Sequence, residues 1–303
     1  MLRFCSMVLL SLACGLGLSS GEVTAPAQPQ TEESAGFLFE GREYIVEGGQ
    51  ERGPWLYESE RITVLINRVS WRGRQCYVAD VRLRDGERFF SGFAHKTPPG
   101  RKAEMPYRIA RRYEAVLGLT ADFLCHHANP KGVMIRDGEV YFDGASADML
   151  AVFDDGSMDV FRAGSVDAGG LLGMGARDVF AFGPILIEDG EINPKIDSHP
   201  LRPGNYRTGI GLVEQGHLIA VVTADGLTFR EFARLFQDYR CDWAYNLDGG
   251  HSASMVFMGE QLNTHGYLAE LGVYQRPLPD LIMAGHSKMV PGPDDPARYR
   301  ANR

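Results

Sequence analysis

Three Asp-Gly pairs, Asp85-Gly86, Asp137-Gly138 and Asp155-Gly156, each border runs in which apolar residues alternate with polar ones. A tight two-residue turn needs positive φ at both central positions, which Gly adopts freely and Asp tolerates, and its twist suits two antiparallel strands. Gly132 to Ile135 and Glu139 to Phe142 therefore predict one hairpin, and Met149 to Phe153 with Met158 to Arg162 a second. Arg61 to Asn67 and Cys76 to Arg84 alternate in the same way around Trp71-Arg72-Gly73 and predict a third antiparallel pair. Recurrent turns of this kind account for part of the 36 glycines, a share above the usual ~7%. A chain so punctuated has to fold largely as antiparallel sheet.

Two segments carry helical periodicity instead: Pro106 to Leu117, and Thr228 to Tyr239 with Phe232, Leu235 and Phe236 on one face. Phe180 to Ile187, Gly209 to Val213, His217 to Thr223 and Asp242 to Leu247 read as further strands. The fold class expected is α/β of the α+β type: a mixed, largely antiparallel sheet core with flanking helices in a single domain. Gly209-Ile210-Gly211 is an isolated GxG with no helix after it, and no P-loop or GxSxG elbow occurs, so nucleotide-binding and serine-hydrolase readings lose their main supports.

At 44% hydrophobic and 23% charged, the 303 residues can bury a core without disulfides or a structural metal. The formal net charge of -8 gives no general attraction to nucleic acid or anionic lipid, so an anionic ligand has to be held by local groups. Residues 1–20 read as an export signal, with one early positive charge and an apolar run too short to span a bilayer. Cys14, after Ser11-Leu12-Ala13, is a candidate lipid-attachment site. Residues 21–36 read as a flexible linker, 37–286 as the folded domain and 287–303 as a disordered tail. The expected location is extracellular or in the cell envelope, with no transmembrane span. Beyond the signal, Cys76, Cys125 and Cys241 form no disulfide framework.

The chemistry concentrates in Asn246 to Ser254. A strand delivers Asp248 to its end, and Gly249 and Gly250 then let the backbone turn its N-H groups toward one point, an anion nest to which Ser252 and Ser254 add donors. A tight turn capped by Asp248 is the alternative. Arg207, just before a strand, is shaped for a bidentate grip on phosphate or carboxylate, or is a solvated loop charge. Asp122 follows an apolar run where desolvation would tune a carboxylate for acid/base work, or it is a turn aspartate. His126, His127 and His251 match no zinc spacing. No motif requires a cofactor, although a hard divalent cation such as calcium on Asp248 and backbone oxygens stays open.

Taken in order, Ala121-Asp122-Phe123, Pro130 to Gly138, Phe182 to Leu186, Arg207 to Gly211 and Asn246 to Val256 form one set of segments. The set resembles the phosphodiester glycosidase family, also described as exopolysaccharide biosynthesis proteins, to which the lysosomal uncovering enzyme belongs. The resemblance runs over roughly Arg61 to Ala284, and its most specific part is Leu247-Asp248-Gly249-Gly250-His251-Ser252 with Met255-Val256. It implies hydrolysis of a sugar-1-phosphodiester, with Asp122, Asp248 and Arg207 as the catalytic set and Gly249, Gly250, His251 and Ser252 binding substrate. The implied partner is a sugar phosphate or polysaccharide, and the implied setting is envelope or exopolysaccharide metabolism. Three departures stand out: His251 occupies the place of a third glycine, Ala121 that of a glycine, and the loop after Val222 is shortened to Thr223-Ala224-Asp225-Gly226-Leu227. A non-catalytic module binding anionic cell-wall polymer is the competing expectation.

Overall fold

The computed structural model describes residues 37–39, 43–46, 53–97, 102–122, 132–200, 203–263 and 276–295. The chain divides into two units, Met1–Ser34 and Ala35–Arg303, and every described residue lies in the second. The signal, the linker, Cys14, Cys125, His126 and His127 lie outside the described residues.

In chain order the first strands are β1 (Phe37–Phe39), β2 (Glu43–Val46), β3 (Trp55–Ser59), β4 (Ile62–Trp71), β5 (Arg74–Leu83) and β6 (Phe89–Phe93). Helix α1 (Pro106–Arg112) precedes β7 (Ala115–Thr120), β8 (Met134–Arg136), β9 (Glu139–Phe142), β10 (Met149–Phe153) and β11 (Met158–Phe161). Helix α2 (Ala168–Gly173) leads to β12 (Ala176–Ala181), β13 (Ile185–Glu188), β14 (Glu191–Ile192), β15 (Thr208–Glu214) and β16 (His217–Thr223). Helix α3 (Phe229–Asp238) is followed by β17 (Trp243–Leu247), β18 (Met255–Phe257), β19 (Glu260–Gln261) and β20 (Asp280–His286).

Three sheets result. The large one has the order β1-β2-β3-β4-β5-β16-β15-β17-β13-β14, and two five-stranded sheets have the orders β11-β10-β12-β8-β9 and β19-β18-β7-β20-β6. Every strand pair among the described residues is antiparallel. The fold is thus more β-rich than a balanced α/β reading. The principal core joins inward residues of all three sheets, among them Val64, Ile66, Leu117, Phe180, Tyr245 and Met255.

The turn chemistry sets the hairpins. Arg72 (φ 48) with Gly73 (φ 77), and Asp137 (φ 49) with Gly138 (φ 78), form the two-residue turns joining β4 to β5 and β8 to β9. Asp85-Gly86 has the same conformation, but the chain then passes from the large sheet into another. The helix expected over Pro106 to Leu117 needs correction: it stops at Arg112, and the apolar Ala115–Thr120 is a central strand buried on both faces, whose solid apolar run mimics one helical stripe. Phe180 to Ile187 likewise belongs to two strands in different sheets.

Helix α3 carries a full capping box, Thr228 Oγ1 accepting from the Glu231 N-H and Glu231 Oε2 from the Thr228 N-H. It packs Phe232 and Phe236 on the face of the large sheet opposite the principal core. Cys76 and Cys241 lie buried there as free thiols, both pushed up to about 12 by burial, which makes them apolar filler rather than nucleophiles.

Candidate active site

Adjacent strand ends assemble the site. Asp122 follows β7, Asp248 follows β17, Asp280 opens β20, and Arg136 closes β8 on the neighbouring sheet. The main chain ties the first two together, since the Asp248 N-H donates to the Ala121 carbonyl at 3.0 Å. Both carboxylates chosen from the sequence therefore meet.

The centre is an ion cluster whose side chains are almost wholly buried. Arg136 Nη2 donates to Asp122 Oδ1 at 2.7 Å and to Asp280 Oδ2 at 3.0 Å. Its Nη1 donates to the Ile135 and Val179 carbonyls, and the guanidinium lies 4.1 Å over the Phe180 ring. Burial opposes the charge on Arg136, but Asp122 and Asp280 outweigh it, so the guanidinium titrates above its ordinary range. Asp122 Oδ2 accepts the Ala181 N-H at 2.8 Å, so both of its oxygens are held by donors from the second sheet.

Asp248 and Asp280 differ from Asp122 in each keeping one buried oxygen without a hydrogen-bond partner, Oδ2 of Asp248 and Oδ1 of Asp280. Asp248 is half-buried as a residue, and its Oδ2 is the oxygen shielded from solvent. Burial raises Asp248 to about 7, opposed by the nearby Ser252 hydroxyl, the Gly249 N-H and the Arg276 charge, with the Asp122 charge adding to the rise. Burial and the negative charge of Asp122 raise Asp280 as well, with Arg136 opposing. Carboxyls that titrate near neutrality suit acid/base chemistry.

The anion nest expected at Gly249 and Gly250 is corrected by the backbone. The Gly249 N-H donates to Asp248 Oδ1 at 2.8 Å, and the Gly250 N-H to the Tyr206 carbonyl at 2.8 Å. Both amides are engaged inside the protein, which is the capped-turn alternative. The glycines are needed for space and dihedral angle: a Cβ on Gly249 would stand 2.4 Å from the Tyr206 oxygen, and Gly250 has φ +58. Gly249→Ala should therefore lose about 1 to 3 kcal/mol of stability in urea denaturation, as overpacking does. A loss below about 0.5 kcal/mol, the range of an ordinary surface change, would contradict this fit. Ser252 is buried, its carbonyl accepting the Thr120 and Ser254 hydroxyls, while His251 is exposed beside it.

Arg207 joins this turn through its backbone but not through its guanidinium. It directs that group to the helix-covered face, where Nε donates to the Leu227 carbonyl at 3.0 Å, Nη2 to that of Pro203, and the ring of Phe229 lies 4.0 Å away. Burial lowers it to about 10, which still leaves it charged at neutral pH. These contacts fasten the strand entrance against which Gly249 packs. Sequence reasoning missed Arg136, Asp280 and Arg276. A charge inside the apolar run Val133-Met134-Ile135-Arg136 and a carboxylate opening the apolar run Leu281 to Ala284 were the available signals. Among the described residues no group of three His, Cys, Asp or Glu side chains is placed to hold a metal ion.

The phosphodiester glycosidase family profile matches residues 113–284, a span that contains Asp122, Arg136, Arg207, Asp248 and Asp280. The SPbeta prophage-derived uncharacterized protein YomE of Bacillus subtilis (strain 168) is 31% identical over a 172-residue alignment covering 51% of this chain and 26% of that protein. The chain thus spans about a quarter of the length of this relative. The zebrafish N-acetylglucosamine-1-phosphodiester alpha-N-acetylglucosaminidase catalytic domain, auto-inhibited by its pro-peptide, superposes with a TM-score of 0.60 at 17% identity, over 82% of this chain and 89% of that one. That likeness is one of fold. With the profile covering more than half of its length, the chain belongs to the phosphodiester glycosidase family.

Proposed function

We propose that the protein hydrolyses a sugar-1-phosphodiester, such as an alpha-linked N-acetylglucosamine-1-phosphodiester, on the glycosidic side, and that it does so after export to the cell envelope or beyond. Family membership supports the reaction class. The observation that carries the site is Asp248, a carboxyl raised to about 7 with one unpartnered oxygen, next to Asp122 clamped by Arg136.

In this reading the bond between the anomeric carbon and the phosphate oxygen breaks, and the phosphate departs as an anion that needs little acid assistance. Water supplies the new oxygen on the anomeric carbon and gives its proton to Asp248. Asp122, both of whose oxygens are held, supplies a fixed negative charge toward an oxocarbenium-like transition state. Arg276, whose charge already acts on Asp248, is better placed than the guanidinium of Arg207 to receive the departing anion. No helix among the described residues is long and apolar enough to cross a membrane.

Incubation of the purified chain with a panel of sugar-1-phosphodiesters tests the proposal, provided the products are resolved. Free sugar with the phosphomonoester of the aglycone is expected. Sugar phosphate as product would mean cleavage on the phosphorus side, and binding of anionic polymer with no sugar released would favour the non-catalytic module.

A further inference from the structure

Between Ala181 and Ile185 the chain leaves the second sheet at the end of β12 and enters the large sheet at the start of β13. The Ala181 N-H donates to Asp122 Oδ2 at 2.8 Å, so this crossing touches the site directly. The residues that follow are fastened one by one. The Phe182 N-H donates to the Tyr245 hydroxyl at 2.8 Å, and the Gly183 carbonyl accepts the Asn246 side-chain amide at 2.8 Å. The Pro184 carbonyl accepts the Asn246 N-H at 3.1 Å, and the Ile185 N-H donates to Asp148 Oδ2 at 3.0 Å. Gly183 has φ +76, and a Cβ there would stand 3.1 Å from that of Asp148, so the position suits glycine.

Tyr245 is the fastening that reaches from one sheet to another. Its backbone belongs to β17, the strand that ends just before Asp248, and its ring is buried in the principal core. Its hydroxyl donates to the Asp148 carbonyl at 2.6 Å, with the Phe180 carbonyl 3.2 Å away as a second acceptor. Phe180 belongs to β12 and is also the ring beneath the Arg136 guanidinium. Burial raises the phenol well above its ordinary value, so the proton stays on and is given to a carbonyl while a lone pair takes the Phe182 N-H. The strand that delivers Asp248 and the amide that holds Asp122 are thereby joined through one hydroxyl.

We propose that Tyr245 is a positioning residue: its hydroxyl fixes the Ala181–Phe182 backbone and, through it, the direction of the Asp122 carboxylate relative to Asp248. The assignment rests on the hydrolytic reading, since it supposes that these two carboxylates act on one substrate. Arg136 and the Ala181 N-H hold opposite oxygens of Asp122 and so set a single orientation. With the Ala181 end loosened, the carboxylate is free to turn about its contact with Arg136. A misplacement of about 1 Å at a reacting centre can cost ~10²-fold in rate.

Tyr245→Phe removes the hydroxyl, keeps the ring in the core and should fold normally by circular dichroism. On a sugar-1-phosphodiester its kcat should fall roughly 10- to 100-fold with KM within about twofold of the parent. In an Asp122→Asn background the same change should have almost no further effect on kcat, because the two residues act as a unit. Hydrogen exchange of the substrate-free proteins, read by mass spectrometry, separates local loosening from general destabilisation: residues 178–185 should exchange about 10-fold faster in Tyr245→Phe while β4 and β5 keep their parent rates. A parent that releases no sugar from any phosphodiester would sink the hydrolytic reading, and the assignment with it. With an active parent, an unchanged kcat in Tyr245→Phe, an equal loss in the Asp122→Asn background, or exchange that rises alike in 178–185 and in β4 and β5 would overturn the assignment alone.

Discussion

Asp248→Asn should lower kcat on a sugar-1-phosphodiester by roughly 10²- to 10⁴-fold, the usual worth of a positioned acid/base group, while leaving the protein folded. The same substitution should change stability in the opposite sense. In the folded chain Asp248 titrates at about 7 because burial disfavours its charge. In the unfolded chain it titrates at an ordinary carboxylate value near ~3.9. Between these values the native state holds the extra proton. The contribution of this group is therefore fully present below about pH 4 and is lost as the pH rises through 7, at up to about 1.4 kcal/mol per pH unit. Asparagine carries no such charge. The variant should be about as stable as the parent at pH 4 and more stable at pH 8, read as urea midpoints at the two values. A residue kept only for structure would not produce this combination of lost turnover and gained alkaline stability. Full activity in the variant would remove Asp248 from the reaction.

The second large effect is expected on stability alone. Arg136→Met removes the guanidinium that holds Asp122 at 2.7 Å and Asp280 at 3.0 Å, leaving two buried carboxylates with no counter-charge from it. Breaking a buried pair from one side costs about 3 to 5 kcal/mol, a large part of the ~5 to 15 kcal/mol that holds an ordinary domain together. Combining it with Asp280→Asn should recover part of the loss, because one of the two stranded charges goes with it. Arg136→Lys should not rescue, since an ammonium cannot span two carboxylates and two carbonyls in one plane while stacking on Phe180. Chemical denaturation of the four proteins decides the matter. A loss under about 1 kcal/mol in the methionine variant, below the measured worth of buried pairs, would show that the cluster is solvated and not the rigid base of the site.

The two variants separate the two roles that carboxylates play here. Asp122 has both oxygens held by donors, whereas Asp248 keeps one oxygen without a partner. The difference comes from Arg136 and the Ala181 N-H, which arrive from a different sheet. Nothing near Asp122 or Asp248 in the chain distinguishes them.

How legible each feature was follows from the range of the interaction that makes it. The β4–β5 and β8–β9 hairpins were readable because a left-handed pair such as Arg72-Gly73 or Asp137-Gly138 sits between the strands it joins. Helix α3 was readable because its apolar stripe of Phe232, Leu235 and Phe236 repeats within ten residues. The helix over Pro106 to Leu117 was overextended because an all-buried strand and one helical stripe look alike over six residues. The glycine pair at 249–250 reads in sequence as an anion nest, yet its amides go to Asp248 and Tyr206. Gly209 and Gly211, dismissed as a nucleotide motif, lie where a Cβ would stand 2.9 Å from Phe232 or 2.8 Å from Phe236, so they let α3 approach the sheet.

By itself, then, the amino-acid order determined an antiparallel scaffold, an amphipathic helix and two carboxylates at strand ends, because turn dihedrals, alternation and helical periodicity act between near neighbours. Only the tertiary structure decided that Arg136 would bind Asp280, 144 positions away, that Arg207 would turn to the helix, and that Asp248 would lie buried enough to titrate at about 7. Those outcomes depend on which charges long-range packing removes from water together, and burial of that kind is a property of the assembled sheets rather than of any segment.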